Sequence, residues 1–482
     1  MAQENHPECY SSSLPQRSIF LFWAPLAAQW LMMGLEGPFL AAVIARLLDP
    51  TLNLAAYGVA FAFALLAESP VIMLLSASTA LVEDAHSYRK LRNFTNLLNV
   101  GCTLLVLLAA APPVFAFLMG TVLRIPADVA TIVHGSIWLL LPWPAAIGYR
   151  RFVQGVLIRA GKTGLIAYGT VVRLAGMVAA ALFAALVLRL QGAWVGAFAL
   201  STGVVVEAAA VRIMARRTLR ELLRAPSFTG GRTPPAASEF ASEGGAGAEE
   251  IAGASIASRV PRAEATSPAA PLGYREITRF YYPLALTSLL SLTVQPILTF
   301  FMGRAALPIE SLAVFPVVHS LSFLFRGPAI SLQEAAIALM GPRFEHAREL
   351  RRFGTTLALA SSGALAVLAF TPLAMVWFSG VSGLQPALAD IAVAPTRIGV
   401  LLPGLTALLS FQQAVLVQGR TTRAITLATA IEVGVIALLF VLFGPRLGMV
   451  GVTAAMLALM GGRVAANAFL LRPVARTLGR RA

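Results

Sequence analysis

Apolar residues fall in long unbroken runs, separated by short stretches that hold most of the charge. A helix crossing about 30 Å of hydrocarbon needs roughly 20 mostly apolar residues, and windows of that length predict twelve spans. The first six cover Ile19–Ala45, Leu54–Ser78, Leu97–Leu118, Ile132–Val153, Leu165–Leu188 and Ala193–Ile213. The second six cover Phe280–Met302, Leu312–Gln333, Thr355–Trp377, Ile391–Leu416, Ile425–Leu442 and Val450–Leu471. A transmembrane barrel would show alternation over about ten residues per strand, not continuous runs. The pattern predicts an all-α polytopic membrane protein.

The two sets of six repeat one another. A shift of 258 residues lays Pro25-Leu26-Ala27 on Pro283-Leu284-Ala285, Pro38 on Pro296, Arg46 on Arg304 and Pro70 on Pro328. One residue more lays Leu91-Arg92 on Leu350-Arg351, Pro113 on Pro372 and Phe152-x-Gln154 on Phe411-x-Gln413. Prolines within spans need neighbours that re-satisfy the freed carbonyls, so reused prolines imply reused architecture. Pro38, Pro70, Pro296 and Pro328 are therefore predicted helix bends. Six spans per half is an even number, so the halves are parallel repeats about an axis along the membrane normal.

The predicted organisation is an N-terminal tail (1–17), an N-lobe (18–215), a linker (216–275), a C-lobe (276–472) and a basic C-terminal tail (473–482). The linker is Ala/Gly/Ser/Pro-rich, as in Gly230-Gly231-Arg232-Thr233-Pro234-Pro235, and reads as a disordered tether.

Composition agrees with the spans. The chain of 482 residues is 58% hydrophobic and 12% charged, with mean hydropathy +0.77, where soluble domains carry about 25% charged residues. The net charge of +15 first suggests nucleic acid, but its placement argues for topology. Only five basic residues fall in one set of loops (Arg46, Arg124, Arg189, Arg304 and Arg446), and most of the rest flank the other ends. The positive-inside rule then puts both termini in the cytoplasm. Cys9 and Cys102 suggest neither disulfide nor metal cluster. The first apolar run is too long for a cleavable signal. Arg-over-Lys usage and high Ala content point to a bacterial inner (plasma) membrane. Gly161-Lys162-Thr163 resembles the end of a P-loop, but the upstream glycine is misplaced and no strand precedes it. No ATP hydrolysis, nucleic-acid binding, enzyme activity or cofactor is expected, and a monomer is.

Pro283-Leu284-Ala285-Leu286 with Pro296-Ile297 and Arg304, Leu54-Ala55-Ala56-Tyr57-Gly58 before Pro70, Pro395-Thr396-Arg397-Ile398 before Pro403, and Leu447-Gly448-x-x-Gly451 share one resemblance. They resemble the progressive ankylosis (ANKH-type) membrane proteins over nearly the whole chain except linker and tails. That family is placed near the MATE/MurJ-type exporters, so the resemblance implies two six-helix bundles in a V. It also implies export of a small anion such as pyrophosphate, a nucleotide or citrate. Glu68 departs from the family pattern, which carries an uncharged residue there.

Ionisable groups at bilayer depth cost at least ~2.5–3.5 kcal/mol and generally face a cavity or a partner. Glu36, in Gly34-Leu35-Glu36-Gly37-Pro38, suggests a bent or broken helix whose freed carbonyls and carboxylate bind H⁺ or Na⁺; pairing with a neighbouring Arg is the alternative. Glu68 and Arg326 occupy equivalent positions in spans 2 and 8. The expectations are a gate ion pair, a coupling cation on Glu68 with anionic cargo on Arg326, or a permanent structural salt bridge between the two. Arg397 and Gln295 are further candidates for cargo recognition. His319, Glu334 and Glu207 are gate or relay candidates. Arg173 and Glu432, equivalent in spans 5 and 11 with opposite sign, are expected to form a structural pair.

These readings converge on a secondary-active exporter with a cleft lined by spans 1, 2, 7 and 8, driven by H⁺ or Na⁺ and carrying a small anionic metabolite or another small organic molecule. A flippase for a lipid-linked precursor is the alternative within transport. A membrane scaffold or regulator acting through the linker is the alternative outside it, and predicts a dry, packed seam between the halves.

Overall fold

The computed structural model describes residues 14–160, 162, 164–224, 272–341, 343–419, 421 and 423–479. Twelve helices among them are long and apolar enough to cross a membrane. In the N-lobe, span 1 is Gln16–Ala45, span 2 Pro50–Leu81, span 3 Ala85–Ala110, span 4 Ala127–Arg159, span 5 Gly164–Leu186 and span 6 Gly192–Met214. In the C-lobe, span 7 is Tyr274–Met302, span 8 Pro308–Leu339, span 9 Ala347–Phe370, span 10 Pro386–Gln418, span 11 Arg423–Gly444 and span 12 Gly451–Gly479. Of the described residues, 88% are helical.

Spans 3 and 9 start and stop earlier than the apolar windows predicted. Their first turns are polar and amphipathic, so a hydropathy window slides toward the apolar end. Span 3 stops before Pro112, and Pro372 stands just past the end of span 9; each is followed by a short π-helical segment, Phe117–Leu123 and Val376–Val381. A proline has no N–H for the preceding turn and clashes with the carbonyl four residues back, which ends the span. The repeat extends to loop geometry. Asp49 and Leu307, one shift apart, both take left-handed φ (48° and 51°) ahead of Pro50 and Pro308.

The four bend prolines behave differently from one another. Span 7 breaks at Thr293, shortly before Pro296, and span 2 breaks at Met73, shortly after Pro70. Pro38 and Pro328 lie inside helices that run without a break. The break predicted around Glu36 is thus absent. The glycines there serve packing instead: a Cβ on Gly37 would sit 2.6 Å from Ser320 Cβ, and one on Gly34 3.2 Å from Leu324 Cα. Small residues that let backbones approach are how membrane helices associate. On the same seam, a Cβ on Gly58 of span 2 would sit 2.7 Å from Pro316 of span 8.

The domain boundaries move at both ends of the linker and at the tail. Arg216–Arg224, expected to be disordered, is a helix that follows span 6. Its basic residues alternate with Leu219, Leu222 and Leu223, a pattern that gives one apolar face. Span 7 begins at Tyr274, and span 12 runs through the predicted tail to Gly479. The remaining linker, 225–271, lies outside the described residues, as do Cys9 and the rest of 1–13.

Candidate functional site

A cavity of about 550 Å³ lies where the two lobes face each other. Spans 1, 2, 7 and 8 line it as predicted, and spans 4, 5, 6, 10, 11 and 12 contribute as well. Three carboxylates (Glu36, Glu68, Glu432) and five guanidinium groups (Arg150, Arg151, Arg173, Arg326, Arg463) reach its wall. Gln29, Gln154, Gln295, Gln333, Gln413 and His319 supply neutral polar groups.

Most of the charge is organised in pairs that tie neighbouring spans together. Arg173 Nη2 of span 5 donates to Glu36 Oε2 of span 1 at 2.6 Å. Arg150 of span 4 donates to both carboxylate oxygens of Glu207 in span 6, at 2.9 and 2.8 Å, with Glu207 fully buried. Arg463 of span 12 lies 3.0 Å from Glu432 of span 11. Trp143 Nε1 of span 4 donates to Glu68 of span 2 at 2.6 Å. Arg326 is different: its Nε donates to the Thr406 hydroxyl at 3.1 Å, and it makes no ion pair among the described residues.

Several predicted partnerships are replaced by others. Glu36, expected at a helix break, is salt-bridged inside an unbroken helix, which matches the alternative reading. Glu68 and Arg326 line one cavity, yet Arg326 bonds Thr406 of its own lobe and not Glu68. Arg173 and Glu432 do not pair with each other: each pairs within its own lobe, with Glu36 and Arg463. Both also face the cavity, so the purely structural expectation is too narrow. A pseudo-two-fold brings equivalent residues together only near its axis; away from it they stand on opposite flanks.

Of the remaining candidates, Gln295 and His319 come together at the wall, with Gln295 Nε2 3.1 Å from His319 Nε2. Glu207 is spent on Arg150 behind the wall. Glu334 accepts from Trp30 Nε1 of span 1 at 3.4 Å, across the seam but off the cavity lining. Arg397 is away from the site. Its Nε donates to the Ala369 carbonyl at 3.1 Å and its guanidinium stacks over Phe370, so it closes the end of span 9.

Sequence reasoning missed Arg150 and Arg151, which read as topogenic flanks of span 4. Both are at least 95% buried, at 5% and 3% exposure, midway along a helix from Trp143 to Arg159. The available signal was Pro142-Trp143-Pro144, which restarts the helix and carries it well past the apolar window. Trp143 and Thr406, the hydrogen-bond partners of Glu68 and Arg326, had no sequence signal.

Solved structures share this architecture. The chain superposes on an inward-facing multidrug resistance MATE family transporter of the MOP superfamily with TM-score 0.69, at 14% identity, over 96% of this chain and 99% of that one. For an outward-facing conformation of such a transporter the TM-score is 0.58, at 15% identity, over 97% of both chains. For the lipid II flippase MurJ, inward closed, it is 0.65 at 11% identity, over 95% of this chain and 87% of that one. No family model and no curated protein matches the chain. The fold is thus that of the MATE and MurJ transporters. The resemblance to progressive ankylosis proteins finds no support in these comparisons. It rested on short runs around span-bending prolines, which a shared architecture can reuse.

Proposed function

We propose that this chain is a secondary-active exporter that exposes its inter-lobe cavity alternately on the two membrane faces, with a small anion as cargo. Arg326 carries the reading. It lines a cavity between two repeats and lacks the carboxylate that Arg150, Arg173 and Arg463 each have. A half-buried guanidinium in a cavity wall is favoured by an anion beside it, and it grips carboxylate or phosphate through two parallel hydrogen bonds.

Coupling runs through Glu36 and Glu68. A proton or Na⁺ on Glu36 discharges its pair with Arg173 and frees that guanidinium, linking cation and anion occupancy in one step. The protein works as a monomer in a bacterial inner membrane, with both termini in the cytoplasm as the basic flanks require. Flux in proteoliposomes with imposed pH or Na⁺ gradients tests this. Gradient-driven anion flux, uncoupled by Glu36→Gln and lost in Arg326→Ala, is the expected result. Flux that ignores both gradients and survives neutral replacement of Glu36 and Glu68 refutes it.

A second reading has an observation of its own. Five arginines reach the wall, more than the sequence suggested, and such a lining also suits the diphosphate of a lipid-linked precursor. The likeness to MurJ is consistent with it. Reconstituted vesicles offered a fluorescent lipid diphosphate and, separately, soluble anions separate the two. The scaffold reading loses ground, because a polar hollow is the opposite of a dry seam. It also requires that deleting Thr233–Ser267 abolish function, which an exporter tolerates.

A further inference from the structure

At the end of the bundle away from Gln16 and Gly479, each lobe reaches across and grips the other with one arginine. Arg46, just past span 1, donates from Nη1 to the Ala42 carbonyl of its own helix at 2.7 Å. Its Nη2 crosses the seam to the carbonyls of Gly380 and Val381, at 2.7 and 2.9 Å. Arg304, just past span 7, does the same in reverse. Nη1 donates to the Phe300 carbonyl at 3.0 Å, and Nη2 crosses to Val122 and to Thr121, the latter at 3.5 Å.

Every part of one clasp has its equivalent in the other. Arg46 and Arg304, and Ala42 and Phe300, are 258 residues apart; Thr121-Val122 and Gly380-Val381 are 259 apart. The acceptors lie in the π-helical segments that follow spans 3 and 9. Terminal carbonyls of a helix lack intrahelical donors and carry partial negative charge, so a guanidinium is the fitting partner. A glycine in each clasp allows the approach, on the acceptor side in one and beside the donor in the other. Gly383 has φ of 71°, and a Cβ there would stand 2.8 Å from Arg46 Nη1. A Cβ on Gly303 would stand 2.6 Å from the Leu123 carbonyl.

We propose that Arg46 and Arg304 are a paired latch that holds this mouth of the inter-lobe cavity shut, and that releasing both clasps together opens the cavity on that face. The proposal rests on the alternating-access reading for its purpose, but its own test reads accessibility, not transport. Arg46 is exposed and Arg304 half-buried. Water competes for such bonds, which keeps each clasp weak enough to break every cycle. Two clasps related by symmetry bear equally on the same motion, so loss of one leaves the other to carry it.

The test is reaction of a cavity cysteine with a membrane-impermeant maleimide applied to the face opposite the chain ends. The background is Cys9→Ser/Cys102→Ser with Met33→Cys as the reporter, since Met33 lines the cavity. Arg46→Gln/Arg304→Gln should label roughly tenfold faster or more, with each single variant in between; one hydrogen bond commonly shifts an equilibrium by about that factor. Unchanged labelling in a double variant that remains monodisperse and keeps its melting temperature overturns the latch. A complementary variant serves if the double one fails to fold: Arg46→Cys/Val381→Cys, bridged by a reducible bis-thiosulfonate cross-linker long enough to replace the arginine's reach, should block labelling until reduced. Labelling that persists through the tether also overturns the latch. Labelling that follows the latch while no solute moves in any variant supports the latch and refutes the exporter reading.

Discussion

The two lobes share one skeleton and differ in how they handle charge. At equivalent positions the sign is inverted: Glu68 against Arg326, and Arg173 against Glu432. The N-lobe answers with compensated pairs, Glu36–Arg173 between spans 1 and 5 and Arg150–Glu207 between spans 4 and 6. Where the N-lobe has Arg150 and Glu207, the C-lobe has the buried Leu409 and Ala466. The molecule thus contains both a buried ion pair and its apolar replacement in one frame. A buried pair is weak evidence for stability, because desolvation offsets much of the attraction. The N-lobe's charges are better understood as setting a polar wall. The C-lobe keeps one such pair, Glu432–Arg463, and leaves Arg326 with a hydroxyl, the difference on which the proposed anionic cargo rests.

The sharpest way to break this comparison is Arg150→Leu. It leaves Glu207 fully buried and without its arginine, and should cost about 3–5 kcal/mol in denaturant or thermal unfolding in detergent. Arg150→Leu/Glu207→Ala copies the C-lobe and should recover most of that loss. A double variant as unstable as the single one removes the equivalence between lobes. Next in size is Arg326→Ala. Anion affinity should fall by about 1.5–3 kcal/mol, as for a lost charged hydrogen bond, measured by calorimetry, while the melting temperature hardly moves. A large stability loss with unchanged affinity would make Arg326 structural, like its N-lobe counterparts.

The smallest effect concerns Asp84, which caps span 3 outside the membrane segment. Its Oδ1 accepts from the Ser87 backbone N–H at 2.8 Å. Burial pushes this carboxyl up, but the Ser87 hydrogen bonds outweigh it and hold it below the usual range. A depressed carboxyl contributes stability that is present above its unfolded value and lost as pH falls through its folded one. Asp84→Ala should cost about 1 kcal/mol at neutral pH and nothing once the wild-type carboxyl is protonated. Melting curves at pH 7 and in acid check the crossover.

The spans and their duplication were legible because hydropathy and proline spacing are properties of local sequence. The pairings were not. Which face of a helix meets which neighbour depends on rotation and tilt, so Glu36 was flagged but its partner was not among the expected pairs. Arg150 and Arg151 were hidden for a simpler reason. Buried guanidinium groups near the end of an apolar window look the same as interfacial ones until the helix is known to continue to Arg159.

The glycines at the seam have a mechanical consequence. Where span 1 lies on span 8, Gly34 and Gly37 face Leu324 and Ser320, and Gly58 of span 2 faces Pro316. Helices that touch so nearly along their backbones carry few interlocking teeth, so a small roll pulls few side chains out of sockets. Resistance to relative rotation of the halves then falls to a few side chains that do cross the seam, such as Trp23 and Trp30, and to the contacts of Arg46 and Arg304 at the rim.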